Sequence, residues 1–237
     1  MTSFTLKWLA VITMLIDHIG VALIPGGTPA YFVCRAVGRL AMPLFAFMIA
    51  EGYFYTKNYG KYMSRLIIFA FISEIPFDLI LRGRFPSWDN QSIMVTFVVA
   101  LAGLYFFDRF AAADKRFSAL LALLASAFAA QLFNADYGAY GILIVFVFYF
   151  YRGRPRLLAA WYSAAVIIFA VLGAVSEMPY TNNVILSLLT GFALFSLIPI
   201  LLYSKHRKKG YTAPVWQYFF YIFYPAHMMI LYILSNI

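Results

Sequence analysis

The sequence predicts an all-α polytopic integral membrane protein, one bundle of about nine transmembrane helices, on three observations. Of 237 residues, 64% are hydrophobic and only 11% charged, where a soluble domain carries about 25% charge. The apolar residues fall into runs close to the roughly 20 that a helix needs to cross a bilayer. The breaks between runs are short and carry turn-forming or basic residues, such as Pro25-Gly26-Gly27, Lys57-Asn58-Tyr59-Gly60 and Arg152-Gly153-Arg154-Pro155.

The runs fall at 6–24, 36–55, 63–81, 92–107, 118–134, 138–151, 157–175, 183–203 and 216–234. The first contains Asp17 and His18 and lacks a small-residue cleavage site, so it reads as a retained helix rather than a signal peptide. The sixth is short for a span. No repeat, low-complexity tract or long linker divides the chain, so 1–237 reads as a single domain.

Orientation follows from the basic residues. Lys7, Lys57, Lys61, Arg65, Arg109, Lys115, Arg116, Arg152, Arg154, Arg156, Lys205, Arg207, Lys208 and Lys209 share one side of a nine-span alternation, while Arg35, Arg39, Arg82 and Arg84 lie on the other. Cytoplasmic loops carry the excess, which predicts a cytoplasmic N-terminus and an extracytoplasmic C-terminus. Helical spans rather than barrel strands point to a bacterial inner membrane and multi-pass insertion.

Several function classes drop out. The net charge of +9 sits in loop clusters, as topology requires, and not along a face that would bind nucleic acid. One cysteine, Cys34, allows neither an internal disulfide nor a Cys-rich metal site. No P-loop, zinc helix or serine elbow is present, so no metal is expected and hydrolysis by a metal or serine triad is disfavoured.

Polar residues inside the spans carry the functional signal, because each costs roughly 3 kcal/mol or more near the midplane. Asp17 and His18 lie in the first span, Glu51 in the second, Glu74 and Asp78 in the third and His227 in the ninth. In the predicted orientation Asp17, His18, Arg35, Arg39, Glu74 and Asp78 all fall toward the outer side. The pairs Arg35/Arg39 and Glu74/Asp78 are each spaced i, i+4 and share a helix face. Histidine beside a carboxylate suits proton removal from an amine or hydroxyl. Asp17 is about 100° around the helix from His18, so Asp17, Glu74 or Asp78 could orient it. The arginines suit an anionic ligand or a developing oxyanion. Glu51, near the inner end, serves an inner vestibule or packs the bundle. His227 either joins the site or satisfies a carbonyl freed by Pro225.

Four segments together resemble the TraX family: LKWLAVITMLIDHIG at 6–20, RAVGRLAMPLFAFMIAEGYFYTKNYGKYMSRLIIFAFISEIPFD at 35–78, DYGAYG at 136–141 and FYIFYPAHMMILY at 220–232. The resemblance covers nearly the whole chain and is most specific over the first 78 residues. It implies acetyl transfer from acetyl-CoA, and a place within a broader superfamily of transmembrane acyltransferases in which an intramembrane histidine near the first span is the base. His18 would match that base, with Asp17, Arg39, Glu74 and Asp78 around it. Acetyl-CoA would dock its phosphates against Lys57, Lys61 and Arg65, with Arg35 as a further anion contact. The acceptor would be a pilin N-terminal amine or a glycan hydroxyl. Besides membrane lipid, acetyl-CoA and this acceptor, no partner is implied, and oligomeric state is not legible. A proton-coupled transporter and a non-catalytic assembly partner are the competing readings.

Overall fold

The helices begin where the sequence supplies caps. In the computed structural model, which describes residues 1–204 and 214–237, helix α1 (Ser3–Leu23) starts on Thr2, whose side chain accepts from the Thr5 amide. Helix α2 (Pro29–Gly38) starts on Thr28, with proline at its first position, where a missing N–H costs nothing. Helix α4 (Tyr59–Arg82) starts on Asn58 and ends on Gly83, whose left-handed φ of 66° suits glycine. Between them lies α3 (Ala41–Tyr55). The chain continues as α5 (Ile93–Ala112), α6 (Arg116–Leu132), α7 (Gly138–Phe150), α8 (Pro155–Ser176) and α9 (Thr181–Leu188), then a 3-10 segment over Leu189–Ser196, α10 (Leu197–Leu201) and α11 (Pro214–Ser235). Among the described residues there is no strand. The basic cluster Lys205, Arg207, Lys208 and Lys209 lies outside the described residues.

Among the described residues nine helical stretches occupy the nine apolar runs, but six are long and apolar enough to cross a membrane: 3–23, 29–55, 93–112, 155–176, 181–201 and 218–235. The other three depart from expectation for different reasons. Helix α4 has the length but carries Lys61, Arg65, Glu74, Asp78 and Arg82. Helices α6 and α7 have 17 and 13 residues. At 1.5 Å per residue α7 rises about 20 Å, against a hydrocarbon core of about 30 Å.

Two breaks within runs were not expected. The second run divides at Arg39 and Leu40, because Pro43 has no N–H for the Arg39 carbonyl and its ring crowds it. The eighth run turns to 3-10 helix, where Gly191 weakens the α-helix and Pro199 cannot donate to Phe195.

Helix α7 is the centre of the bundle. Ile142, Ile144 and Val145 are fully buried and Phe146 and Phe148 nearly so, with α3, α5, α6 and α8 packed around them. On another side α1 packs against α2, α3 and α11, and α11 against α4. The outer surface is apolar: Phe71, Phe117 and Phe128 are each about 70% exposed, as expected where lipid is the solvent. The turn that precedes α7 places Asp136 and Tyr137 on the lining of a cavity. That turn is fixed by backbone pairing with the α4–α5 loop: the Gln91 amide donates to Asn134 O and the Asp136 amide to Gln91 O, both at 2.8 Å.

Glu51, buried in α3, pairs with Arg152 at the α7–α8 turn at 2.5 Å. The guanidinium also lies 4.3 Å from the Phe54 ring centroid and 5.0 Å from that of Tyr55. Of its two expected roles, the packing one describes this geometry.

Candidate functional site

His18 and His227 meet although 209 residues separate them. His18 Nδ1 lies 2.6 Å from His227 Nε2, and the rings are nearly parallel, with centroids 4.9 Å apart. On its far side His227 Nδ1 is 2.6 Å from the Phe223 carbonyl. A carbonyl only accepts, so His227 Nδ1 carries a proton and donates it. In neutral His227, Nε2 is then an acceptor, and His18 Nδ1 must donate to it. The remaining nitrogen of His18, Nε2, then keeps its lone pair, and His18 lines a cavity. This relay supplies the orientation that sequence reasoning sought from a carboxylate. It also revises the expectation for His227: Pro225 leaves the Tyr221 carbonyl without its usual donor, but His227 addresses the Phe223 carbonyl instead.

The cavity encloses about 740 Å³, and its lining includes Asp17, His18, Arg35, Arg39, Asn90, Asp136, Tyr137, Tyr140, Glu177 and Tyr224. Arg35 Nη1 pairs with Asp17 Oδ2 at 2.7 Å. Their helices approach closely enough for this because residue 38 is glycine, and a Cβ there would overlap the Asp17 carboxylate. Arg39 is hydrogen-bonded to Tyr137 and reaches the Leu186 carbonyl at 3.4 Å. Four buried polar atoms on the lining residues have no hydrogen-bond partner among the described residues: Asp17 Oδ1, Arg35 Nε, Arg39 Nε and Tyr140 Oη. Groups left unpaired at such cost suit a ligand that pairs them.

Asp136 and Tyr137 come from the turn before α7. Tyr137 holds φ at 63°, an uncommon backbone for a bulky residue that surrounding structure must impose. Its amide donates to Asp136 Oδ1 at 3.1 Å, and Thr96 Oγ1 donates a short hydrogen bond to the Asp136 carbonyl. Burial pushes the Asp136 carboxyl up to about 6, against the opposing pull of Arg39 and Arg35.

A second cavity of about 390 Å³ opens from the other end of the bundle. Its lining includes Lys7, Lys57 and Arg65 with Tyr55, Met48, Phe97 and Phe220. The two cavities share Met14, Phe45, Ile93 and Tyr224. Together they run from the start of α1 and α4 to the ends of the same helices.

Some expected members lie elsewhere. Glu74 accepts from the Ser92 amide at 3.0 Å and from Ser92 Oγ at 2.7 Å. Asp78 Oδ2 accepts from the Ser87 amide at 2.7 Å. Both carboxylates therefore hold the α4–α5 loop, which presents Asn90 to the cavity, and neither lines it. Lys61 is exposed and lies off the second cavity. Arg35 belongs to the cavity lined by His18 rather than with Lys57 and Arg65.

The family model described as TraX protein matches residues 3–235. The chain belongs to the TraX family. One relative, a probable fimbrial assembly protein FimC of serogroup H1 from Dichelobacter nodosus, is 30% identical over 97% of this chain and 94% of its own length. An uncharacterized protein from Rickettsia prowazekii is 37% identical over 43% of this chain and 36% of its own length. No solved structure matches.

In this TraX-family chain, sequence reasoning missed Asp136, Tyr137, Tyr140 and Tyr224 as lining residues and Lys7 as part of the second cavity. DYGAYG was visible as a family segment, but nothing in hydropathy says that the turn it opens lines a cavity. Among the described residues no cluster of His, Cys, Asp or Glu has the makings of a metal site.

Proposed function

We propose that this protein is a membrane-embedded acetyltransferase that moves an acetyl group from cytoplasmic acetyl-CoA to an amine or hydroxyl acceptor, a pilin N-terminus or a glycan, at the outer side of the bacterial inner membrane. The observation that carries this reading is the pair of cavities, one basic and one built on histidine, which share lining residues within the bundle. Family membership and the fimbrial relative support a pilus-linked acceptor. The positive-inside distribution supports nine spans, with the N-terminus cytoplasmic and the C-terminus outside, which turns the basic cavity to the cytoplasm.

The chemistry follows from what each group can do. Lys7, Lys57 and Arg65 offer positive charge to nucleotide phosphates, which cannot enter the hydrocarbon core. Apolar residues beyond them, such as Met48 and Phe97, suit a flexible arm that carries a thioester inward. Eleven residues of α1, about 16 Å of rise, separate Lys7 from His18. His18 Nε2 takes the proton of the attacking amine or hydroxyl. The imidazolium then keeps its Nδ1–H bond to His227, which disperses the new charge. Arg35 Nε and Arg39 Nε, which have no partner among the described residues, can donate to negative charge that develops on the carbonyl oxygen. As the tetrahedral centre collapses, the C–S bond breaks and the departing thiolate receives the proton from His18.

The test is acetyl-CoA-dependent thiol release by the purified protein in nanodiscs, with amine and sugar acceptors, beside His18→Ala. Release that disappears in His18→Ala is expected. Folded wild-type protein that neither releases thiol nor binds acetyl-CoA would overturn the reading and leave transport or a non-catalytic role in assembly.

A further inference from the structure

The two cavities come together at Met14, Phe45, Ile93 and Tyr224, which line both, so a donor from one and an acceptor from the other would meet there. Three of these side chains are apolar. Tyr224 is the single polar side chain at the junction, and it is 5% exposed.

Its position relative to the histidine relay is fixed twice over. Tyr224 stands three residues before His227 on α11, and Met14 four residues before His18 on α1, so the junction lies one helical turn, about 5 Å, to the inner side of both imidazoles. The Tyr224 ring packs edge-on against both: its centroid is 6.2 Å from that of His18 and 5.9 Å from that of His227. A carbonyl at the junction is thus beside the phenol and one turn from the His18 base.

The phenol stands with Ile93 on the lining shared by both cavities. Ile93 opens α5, and its amide is one of the first-turn N–H groups with no partner inside the helix. An N–H donating to the phenol oxygen leaves the phenol proton free to donate. Among the described residues no hydrogen bond uses that proton.

We propose that Tyr224 is a catalytic residue of the transfer: its hydroxyl donates to the thioester carbonyl oxygen and holds the oxyanion that forms there. This rests on the acetyltransferase reading above. When the acceptor lone pair forms its bond to the carbonyl carbon, the π pair moves onto oxygen, which the Tyr224 O–H stabilises, while His18 Nε2 takes the acceptor proton. The pair returns as the C–S bond breaks, and the thiolate leaves with the His18 proton. A donor preorganised in a site shut off from water is worth more than one in solvent. The apolar character of Met14, Phe45 and Ile93 supplies that exclusion.

Tyr224→Phe keeps the ring packing and removes only the hydroxyl, so acetyl-CoA binding serves as its folding control. Its kcat should fall by about 10²-fold, the usual cost of one oxyanion donor, while the KM for acetyl-CoA stays within a factor of two or so, because the contact strengthens in the transition state. With acetyl-CoA labelled at the thioester carbonyl with ¹³C, the bound carbonyl stretch should sit at lower frequency in wild type and in His18→Ala than in Tyr224→Phe. An active wild type whose kcat and carbonyl stretch both survive Tyr224→Phe would overturn the assignment and leave the acetyltransferase reading intact. A wild type that neither turns over nor binds acetyl-CoA would overturn both.

Discussion

Replacing His227 separates a proton relay from simple packing. His18 Nδ1 donates to His227 Nε2 over 2.6 Å, and this bond leaves His18 Nε2 with its lone pair. When His18 becomes an imidazolium the bond becomes charge-assisted, worth about 1.5–3 kcal/mol. At 1.36 kcal/mol per decade, its loss costs about 10- to 150-fold in kcat. His227→Phe fills the ring volume without an acceptor and should show that loss. His227→Gln, whose carbonyl oxygen can accept from His18, should recover a large part of it. The assay is thiol release from acetyl-CoA, with KM measured alongside and expected to be little changed. The chain has only three histidines, His18, His206 and His227, so ¹⁵N-histidine spectra in nanodiscs can report the tautomer directly. Wild type should show His18 protonated at Nδ1, and His227→Phe should shift it toward Nε2–H. Full kcat in His227→Phe, or a wild-type His18 protonated at Nε2, would refute the relay.

Three further outcomes follow from the same geometry. Lys57→Ala and Arg65→Ala should each raise the KM for acetyl-CoA by up to about fivefold, the effect of losing roughly 1 kcal/mol at a partly exposed charge, whereas Lys61→Ala should leave it unchanged; equal effects at all three would deny the inner cavity its role. Glu51→Ala removes the partner of a half-buried guanidinium and should cost about 2 kcal/mol or more of stability, seen as a lower melting temperature in nanodiscs with KM unaltered. The Asp136 carboxyl, raised to about 6 from an ordinary value of 3.8, binds its proton more tightly folded than unfolded. As pH rises from about 4 through 6, this proton-linked stability is lost, so the melting temperature of wild type should fall relative to Asp136→Asn; parallel melting curves across that window would contradict the buried carboxyl.

The sequence was most legible where one property decides the answer. Composition alone required lipid as solvent, and apolar runs located all nine helical stretches. Ionisable residues in spans singled out Asp17, His18, Arg35 and Arg39, which do share one cavity. Depth was not legible. Hydropathy marks where helices lie and says little about how far each reaches, so the turn that brings Asp136 and Tyr137 to the cavity was invisible. Glu74 and Asp78 misled for a related reason. Their i, i+4 spacing gives a shared face, but that face meets the α4–α5 loop, whose amides compete for carboxylates at short range. The pairing of His18 with His227 depends on α11 packing against α1, a long-range contact that local periodicity cannot encode.

The junction also bears on the choice between enzyme and transporter. A proton-coupled transporter needs polar groups or water along its whole path, because an ion in hydrocarbon is costly at every step. Here the polar groups lie on either side of the junction, with Asp17, His18, Arg35 and Arg39 in one cavity and Lys7, Lys57 and Arg65 in the other. Between them stand Met14, Phe45 and Ile93, with a single phenol. Such an apolar boundary opposes ions and suits a thin, largely uncharged arm. Widening it by Phe45→Ala therefore separates the two readings. A transporter should lose coupling and leak protons with no change in thioester chemistry. An acetyltransferase should instead divert acetyl groups from the acceptor to water, and thiol release should persist without an acceptor.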